Sequence, residues 1–480
     1  MDMFIDGAFV PALAGARQSV TNPATGDVID TVPTGTAEDA DRAIAAAERA
    51  FETWKRTPVA ERARLQKAAA RLMRAEANAI GRTLTLELGR PLAAAVTEIE
   101  RSADLLDVYA EEGLRLTAEM PMTSVSGEKM MVTREPVGVV VAITPFNYPI
   151  TLLTFKLGAA LIAGCTMVAK PAEDTPLSTM MLADLFHRAG FPAGVFNVVT
   201  GRGTGIGKAM IEHPVPRKIA FTGGTAAGKA IAAAAVQTMK RLTLELGGQS
   251  PAIVCSDADL DVAAAAIARH GFANSGQFCY RVNRCYVERP VYEDFLAKLK
   301  CHVDKLKVGD GFDASCAMGP LVNEKIYANS ERQSDDARNK GARILTGGKR
   351  LTGGLYDGGW FFPPTLIADA DHSMLVMTEE TFGPVLGIMP FDDRREALKL
   401  ANQTRYGLAG FVFSENLATA LTLAEGIEAG SVWVNNIHRS SHTMPFGGMK
   451  ESGFGREKGR FGIEAYLEYK SIYLSYKESL

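Results

Sequence analysis

Val137-Gly138-Val139-Val140-Val141-Ala142-Ile143, closed by Thr144-Pro145, is a β-branched run with one glycine. It is far too short to cross a bilayer and reads as a buried strand. From there the pattern alternates. A helical segment over 152–163 is followed by an apolar strand at 166–169, a helix at 178–189 and a strand at 195–199. A helix at 206–213, a strand at 218–222, a helix at 228–237 and a strand at 241–246 continue it. Strands separated by helices of about ten residues define βαβ units and a parallel sheet. A second α/β round runs over about 250–445, with strands near 252–254, 284–287, 385–390 and 431–435.

Upstream, residues 38–115 read as helix, because Ala, Glu, Arg and Leu dominate and apolar residues recur at helical spacing. Pro58 interrupts that stretch, and Thr57 as N-cap, Pro58 at the first helical position and Glu61 in the first turn suit a new start. The polar stretch 121–134 is expected to form a hairpin, and the Tyr- and Ile-containing tail 466–476 a strand. Two such peripheral strands would leave open edges unless another subunit covered them. A homo-oligomer, dimer or tetramer, is therefore expected.

With 480 residues, 47% of them hydrophobic, the chain exceeds one ordinary core, so two or three domains are expected. A formal net charge of -3 gives no basic footprint for nucleic acid or an anionic membrane. The start, Met1-Asp2-Met3-Phe4-Ile5-Asp6-Gly7, carries acids where a secretory signal needs a basic and then an apolar stretch. The six cysteines (Cys165, Cys255, Cys279, Cys285, Cys301, Cys316) make no C-x-x-C pair and no Cys/His ligand spacing, so no metal site is expected. Such sparse cysteine fits free thiols in a reducing, cytoplasmic setting.

Five segments could carry chemistry. In Asn274-Ser275-Gly276-Gln277-Phe278-Cys279 a thiol follows a glycine-containing turn that could expose its sulfur, although a lone Cys is more often a buried structural thiol. In Leu242-Thr243-Leu244-Glu245-Leu246-Gly247-Gly248 a carboxylate ends an apolar strand, where poor solvation raises its pKa toward that of a general base; the alternative is a surface carboxylate. Asn147, held between Pro145 and Pro149, has an amide able to donate to an oxyanion, although Asn and Pro are also ordinary turn residues. Phe221-Thr222-Gly223-Gly224-Thr225 lies between strand and helix, where glycines let a backbone approach a diphosphate; it is not G-x-G-x-x-G, and a bare turn is the competing reading. Lys170 and Glu173, directly after a strand, could hold ribose hydroxyls or form a solvated loop.

Taken together and in this order, the segments resemble the aldehyde dehydrogenase superfamily. The signatures are Pro145-Phe146-Asn147, Lys170-Pro171-Ala172-Glu173, Phe221-Thr222-Gly223-Gly224, Leu244-Glu245-Leu246-Gly247-Gly248 and Gly276-Gln277-Phe278-Cys279, followed by Glu379-Glu380-Thr381-Phe382-Gly383-Pro384 and Pro445-Phe446-Gly447-Gly448. The resemblance spans nearly the whole chain. It implies an α/β fold of two Rossmann-like domains with a small β oligomerisation element: a cofactor-binding domain over 1–120 and 137–247, a catalytic domain over 248–446, and an oligomerisation element over 121–136 and 447–480. By matching position, Cys279 is the implied nucleophile, Glu245 the base, and Asn147 with the Cys279 backbone N–H the oxyanion hole. Lys156 and Glu468 match a proton-relay pair. NAD, with NADP as the alternative, would be held by Thr144, Pro145, Phe146, Lys170, Ala172, Glu173, Gly203, Gly223, Gly224, Gly247, Glu380 and Phe382. The presence of Glu245 argues against the coenzyme-A-acylating branch.

Departures shape the expected substrate. Gly224 stands where many relatives have Ser, Gln249 where Asn is common, and Glu173 should repel a 2′-phosphate, favouring NAD. The two arginines with which succinate-semialdehyde dehydrogenases hold a distal carboxylate fall on Phe155 and Ala273. Arg281, His438, Arg439, Ser440 and His442 are the remaining candidates to bind a small anionic or hydroxylated aldehyde: a semialdehyde, a lactaldehyde-like compound or a sulfonated analogue. The alternatives are a broad-specificity aldehyde dehydrogenase, a cofactor-independent thiol esterase and a catalytically silent scaffold.

Overall fold

The protein is described by a computed structural model, which covers residues 1–437 and 440–477. The Val139–Ile143 strand is the centre of an eight-stranded sheet, pairing in parallel with Thr166–Lys170 on one side and Lys218–Thr222 on the other. Phe196–Val198 and Arg241–Glu245 extend the parallel set outward. Chain order therefore reverses at the central strand, and such a reversal opens a crevice beyond the strands' carboxyl ends. Every residue of Thr166–Lys170 and Lys218–Thr222 is buried, which explains their unbroken apolar character. The edges are antiparallel: Met3–Ile5 with Ala8–Val10 at one end, and the two-residue strand Gly453–Phe454 against Arg241–Glu245 at the other. The amino-terminal strands were not legible as such.

A second, seven-stranded sheet holds Ser250–Val254 at its middle, flanked in parallel by Val282–Glu288 and Ala409–Phe413; only Arg343–Thr346, at one edge, runs antiparallel. The region expected to be helical resolves into Ala37–Trp54, Val59–Ala75, Ala77–Leu88 and Leu92–Leu114. The second of these begins at Val59 with Pro58 as the capping residue, one position later than the cap signals suggest. In place of a single helix at 206–213 there is a π-helical turn, Gly203–Gly207, leading into Lys208–Glu212.

Two buried carboxylates tie the helical layer to the first sheet. Glu98, in Leu92–Leu114, accepts from the backbone N–H of Ile150 (3.1 Å) and Thr151 (3.0 Å) and pairs with Arg90. It thereby satisfies orphan donors at the start of Pro149–Ala163, whose own first residues offer no capping side chain. Glu87 does the same for Leu177–Arg188, accepting from the N–H of Leu177 and Ser178.

The expected 121–134 hairpin is reduced to one antiparallel bridge, Glu119 opposite Val132. Glu128–Pro136 is one long strand, and its partner is the tail strand Leu467–Ser475, antiparallel from Glu128 opposite Ser475 to Pro136 opposite Leu467. The two peripheral segments thus cover one edge of each other and leave Tyr469, Tyr473 and Leu474 exposed on the ribbon. Among the described residues no helix is long and apolar enough to cross a membrane.

Candidate active site

Cys279 follows a turn in which three successive residues, Asn274 (φ 49°), Ser275 (φ 55°) and Gly276 (φ 73°), are left-handed. Two of them carry side chains, a conformation that costs of order 1–3 kcal/mol each and persists only where the surroundings impose it. The clamps are visible. Asn274 donates to the Asn147 carbonyl oxygen (3.0 Å), Ser275 Oγ to that of Gly319 (2.8 Å), and Gln277 Oε1 accepts from the Val322 N–H (2.9 Å). Gly276 is required twice over, by its positive φ and because a Cβ there would collide with the Gly383 carbonyl. The result is a half-buried thiol on the wall of a cavity of about 680 Å³.

Asn147 lines the same cavity; its amide nitrogen donates to the Gln277 carbonyl at 2.9 Å, two residues before the thiol. Glu245 is buried at the end of Arg241–Glu245, and neither carboxyl oxygen has a hydrogen-bond partner among the described residues. Burial, reinforced by the charge of Glu457, holds this carboxyl well above the ordinary range, and the Lys156 ammonium opposes that shift. The Cys279 thiol is likewise pushed up, first by burial and then by the negative charges of Glu245 and Glu380. Burial thus disfavours the charged form of both groups, and the negative charge of Glu245 further opposes the thiolate.

Lys156 does not meet Glu468. Its ammonium pairs with Glu457 at 2.7 Å, both side chains almost wholly buried, and also donates to Thr222 Oγ1 at 2.6 Å. Glu468 lies at the surface in an ion pair with Arg241, each 46% exposed. The difference has a local cause: Glu457 sits in a turn between Gly455 (φ 89°) and Gly459 (φ 52°), packed inward, whereas Glu468 belongs to the peripheral ribbon. Arg281 is also displaced from its expected role. It is completely buried and donates to the carbonyl oxygens of Gly271 (2.9 Å) and Val385, outside the cavity wall. Gly271 lies in the last turn of Leu260–Phe272, so Arg281 closes a helix carboxyl end, where a cation is favoured.

Ser440 and His442 line the cavity, as do Phe155 and Ala273; His438 and Arg439 lie outside the described residues. Sequence reasoning passed over Glu457, Lys458, Arg101 and Glu98. All four are charged; Glu457, Lys458 and Arg101 have only polar or glycine neighbours, and Glu98, between Thr97 and Ile99, stands in a helix that also carries Glu100, Arg101 and Asp104, so none gave a signal of burial in the sequence.

The residues expected around a dinucleotide gather at the carboxyl ends of the first sheet. Thr144 N–H donates to the Lys170 carbonyl, and its buried hydroxyl has no partner among the described residues. Lys170, its pKa lowered by burial, donates to the carbonyl of Pro171 (3.0 Å), and Glu173, beyond Ala172, accepts from the Gly203 N–H (3.1 Å). Gly223 and Gly224 form the turn into Thr225–Ala235, and Gly224 faces open space. Phe146 packs edge-on against Phe382 at 5.8 Å, next to Pro145. Glu380 accepts from Gly248 N–H (2.8 Å), and a Cβ on Gly247 would fall 2.6 Å from its other oxygen. An orphaned hydroxyl, an open glycine turn at a helix start and ionisable groups at strand ends fit a nucleotide with its diphosphate.

A thiol poised on a strained turn, with a partnerless carboxyl in its field, is the mark of a cysteine-dependent α/β enzyme. The model of the aldehyde dehydrogenase family matches residues 9–472, and the chain belongs to that family of oxidoreductases. It is 42% identical to 3-sulfolactaldehyde dehydrogenase of Pseudomonas putida over 98% of this chain and 96% of the relative. It is 41% identical to the NADP(+) succinate-semialdehyde dehydrogenase of Escherichia coli over 97% and 96%. A crystal structure of betaine aldehyde dehydrogenase from Staphylococcus aureus with NAD+ superposes with a TM-score of 0.97 at 36% identity, covering all of this chain and 96% of the other.

Proposed function

We propose that this enzyme oxidises a small aldehyde bearing an anionic or hydroxylated tail to its carboxylic acid, using NAD or NADP, through covalent chemistry at Cys279. One observation carries the proposal: Cys279 and Asn147 line one cavity while the partnerless Glu245 acts on the same thiol. The Cys279 thiol gives its proton to water in the cavity, and attack by the resulting thiolate on the carbonyl carbon makes a thiohemiacetal whose alkoxide the Asn147 amide and the Cys279 N–H stabilise. The bound nicotinamide supplies the acceptor for the hydride lost as the thioester forms. Glu245 then takes a proton from water, the resulting hydroxide displaces the Cys279 thiolate from the acyl carbon, and the acid leaves. Lys156 and Glu457 provide a buried route for the proton that Glu245 has accepted.

Thr144, Pro145, Phe146, Lys170, Ala172, Glu173, Gly203, Gly223, Gly224, Gly247, Glu380 and Phe382 are the residues we assign to the nucleotide. The first sheet supports a cofactor-binding unit of residues 1–120 and 137–247 and the second a catalytic unit of 248–446. Gly453–Phe454 nonetheless joins the first sheet, so of 447–480 the tail strand with Glu128–Pro136 is the part we assign to assembly. Exposed Tyr469, Tyr473 and Leu474 support a dimer or tetramer. Six unbridged thiols fit a cytoplasmic protein.

The test is reduced-nucleotide formation, followed by absorbance, across a panel of aldehydes with NAD and with NADP. Activity on semialdehydes or sulfonated aldehydes that vanishes in Cys279→Ala is expected. Retention of that activity in Cys279→Ala would remove the mechanism.

A further inference from the structure

The wall of the cavity also holds a cation of unusual setting. Lys458 is 1% exposed and has φ 71°, a left-handed backbone that an L side chain adopts only under constraint. Its ammonium donates to Ser440 Oγ (2.6 Å) and the Ser441 carbonyl (2.9 Å), and neither partner carries a charge. The rings of Phe155 and Phe446 lie beneath it at 5.4 and 5.3 Å, fixing its position by cation–π attraction. Phe446 in turn packs against Tyr280, the residue after the nucleophile, at 5.4 Å. Two further basic side chains, Arg101 and His442, line the cavity beside it, and His442 Nδ1 is buried without a partner among the described residues. Burial and the charge of Arg101 lower the Lys458 pKa to about 8, against the pull of Glu457.

A buried ammonium is costly unless an anion compensates it. Glu98, the one carboxylate among the described residues that line the cavity, is already engaged by Arg90 and two backbone donors. We infer that Lys458, with Arg101 and His442 alongside, anchors the oxyanion tail of the substrate, a carboxylate or a sulfonate, while the aldehyde end reaches Cys279. This rests on the reading that the enzyme oxidises anionic aldehydes, and it assigns the residue that recognises them.

Lys458→Gly suits the left-handed backbone and keeps the N–H that donates to Tyr109 Oη, so the fold is retained; Lys458→Met keeps the length without the charge. KM is measured for succinate semialdehyde against butanal, and for 3-sulfolactaldehyde against lactaldehyde. In both variants the ratio of anionic to uncharged KM should rise about 10- to 100-fold, as expected for loss of one charge-assisted hydrogen bond, and Lys458→Arg should hold it within a few-fold. The anionic substrate showing the larger rise identifies the oxyanion. An unchanged ratio in Lys458→Gly and Lys458→Met overturns the anchor and leaves the proposed function standing. A wild-type enzyme that prefers lactaldehyde to 3-sulfolactaldehyde overturns the anchor alone, and one that prefers butanal to all three overturns the proposed function as well.

Discussion

Glu457 and Lys458 are neighbours in the chain, both almost fully buried, and they face opposite fates. Glu457 points to Lys156 and closes an ion pair at 2.7 Å, within the electrostatic reach of Glu245. Lys458 points the other way, into the cavity, where its hydrogen-bond partners are a hydroxyl and a carbonyl. A buried charge already compensated belongs to the resting machinery of the protein, whereas one held by neutral dipoles and ring faces is prepared for a charge that arrives with the ligand. One peptide unit thus divides the proton side of the site from its recognition side.

The largest effect should come from the carboxyl that the paired side serves. In Glu245→Gln, steady-state turnover is expected to fall about 10²- to 10⁴-fold, the range for loss of a general base. A first burst of reduced nucleotide should survive, because hydride loss precedes hydrolysis. Turnover within a few-fold of wild type would remove Glu245 from the chemistry. Next, Lys156→Met strands Glu457 and should cost about 3–5 kcal/mol of stability, as breaking one half of a buried pair does. Adding Glu457→Leu to it should recover most of that loss in denaturant melts. If Lys156→Met alone melts like wild type, the pair is not compensated as its geometry indicates.

How much of this was visible in the chain follows the same division. The βαβ alternation was legible because parallel strands buried on both faces are continuous apolar runs, such as Thr166–Lys170. Cys279, Glu245 and Asn147 stood out because glycines and prolines bracket them. The partner of Lys156 did not: a carboxylate in a glycine-rich turn and one in a tail strand look equally exposed in sequence, and only packing puts Glu457 inside. Arg281 misled for a related reason. Spacing two from Cys279 would share a face only in a strand, but Val282–Glu288 starts one residue later and the intervening turn sends the guanidinium into the core, where burial lowers its pKa to about 9. Lys458 carried no signal, since a lysine between glutamate and glycine reads as surface.

The recognition side can be sharpened by pH. Lys458 faces Arg101, whose charge and the surrounding burial lower its pKa to about 8, and Glu457, which raises it; His442 beside it, lowered to about 4 by burial, stays neutral through the working range. Below about pH 8 the ammonium is charged and can hold an oxyanion; above it the charge is lost. KM for an anionic aldehyde should therefore climb roughly tenfold per pH unit once well past that point, while KM for butanal shows no such limb. Equal limbs for both substrates would assign the titration to another group, and Lys458→Gly should abolish the difference.

The smallest effect concerns a charge of intermediate kind. Glu173 accepts the Gly203 N–H, acts through its charge on Lys170, and lies just beyond the end of Thr166–Lys170. A carboxylate at this position repels a second anion, so it should disfavour a 2′-phosphate on the bound nucleotide. Two unit charges a few ångströms apart in a solvated cleft interact by about 1 kcal/mol, or roughly fivefold in affinity. Glu173→Gln preserves an acceptor for the Gly203 N–H and removes the charge. The ratio of kcat/KM with NADP to that with NAD should rise by about that factor, through KM for NADP rather than kcat. A ratio that stays put in low-salt buffer, where screening is weakest, would place Glu173 away from the nucleotide's 2′ position.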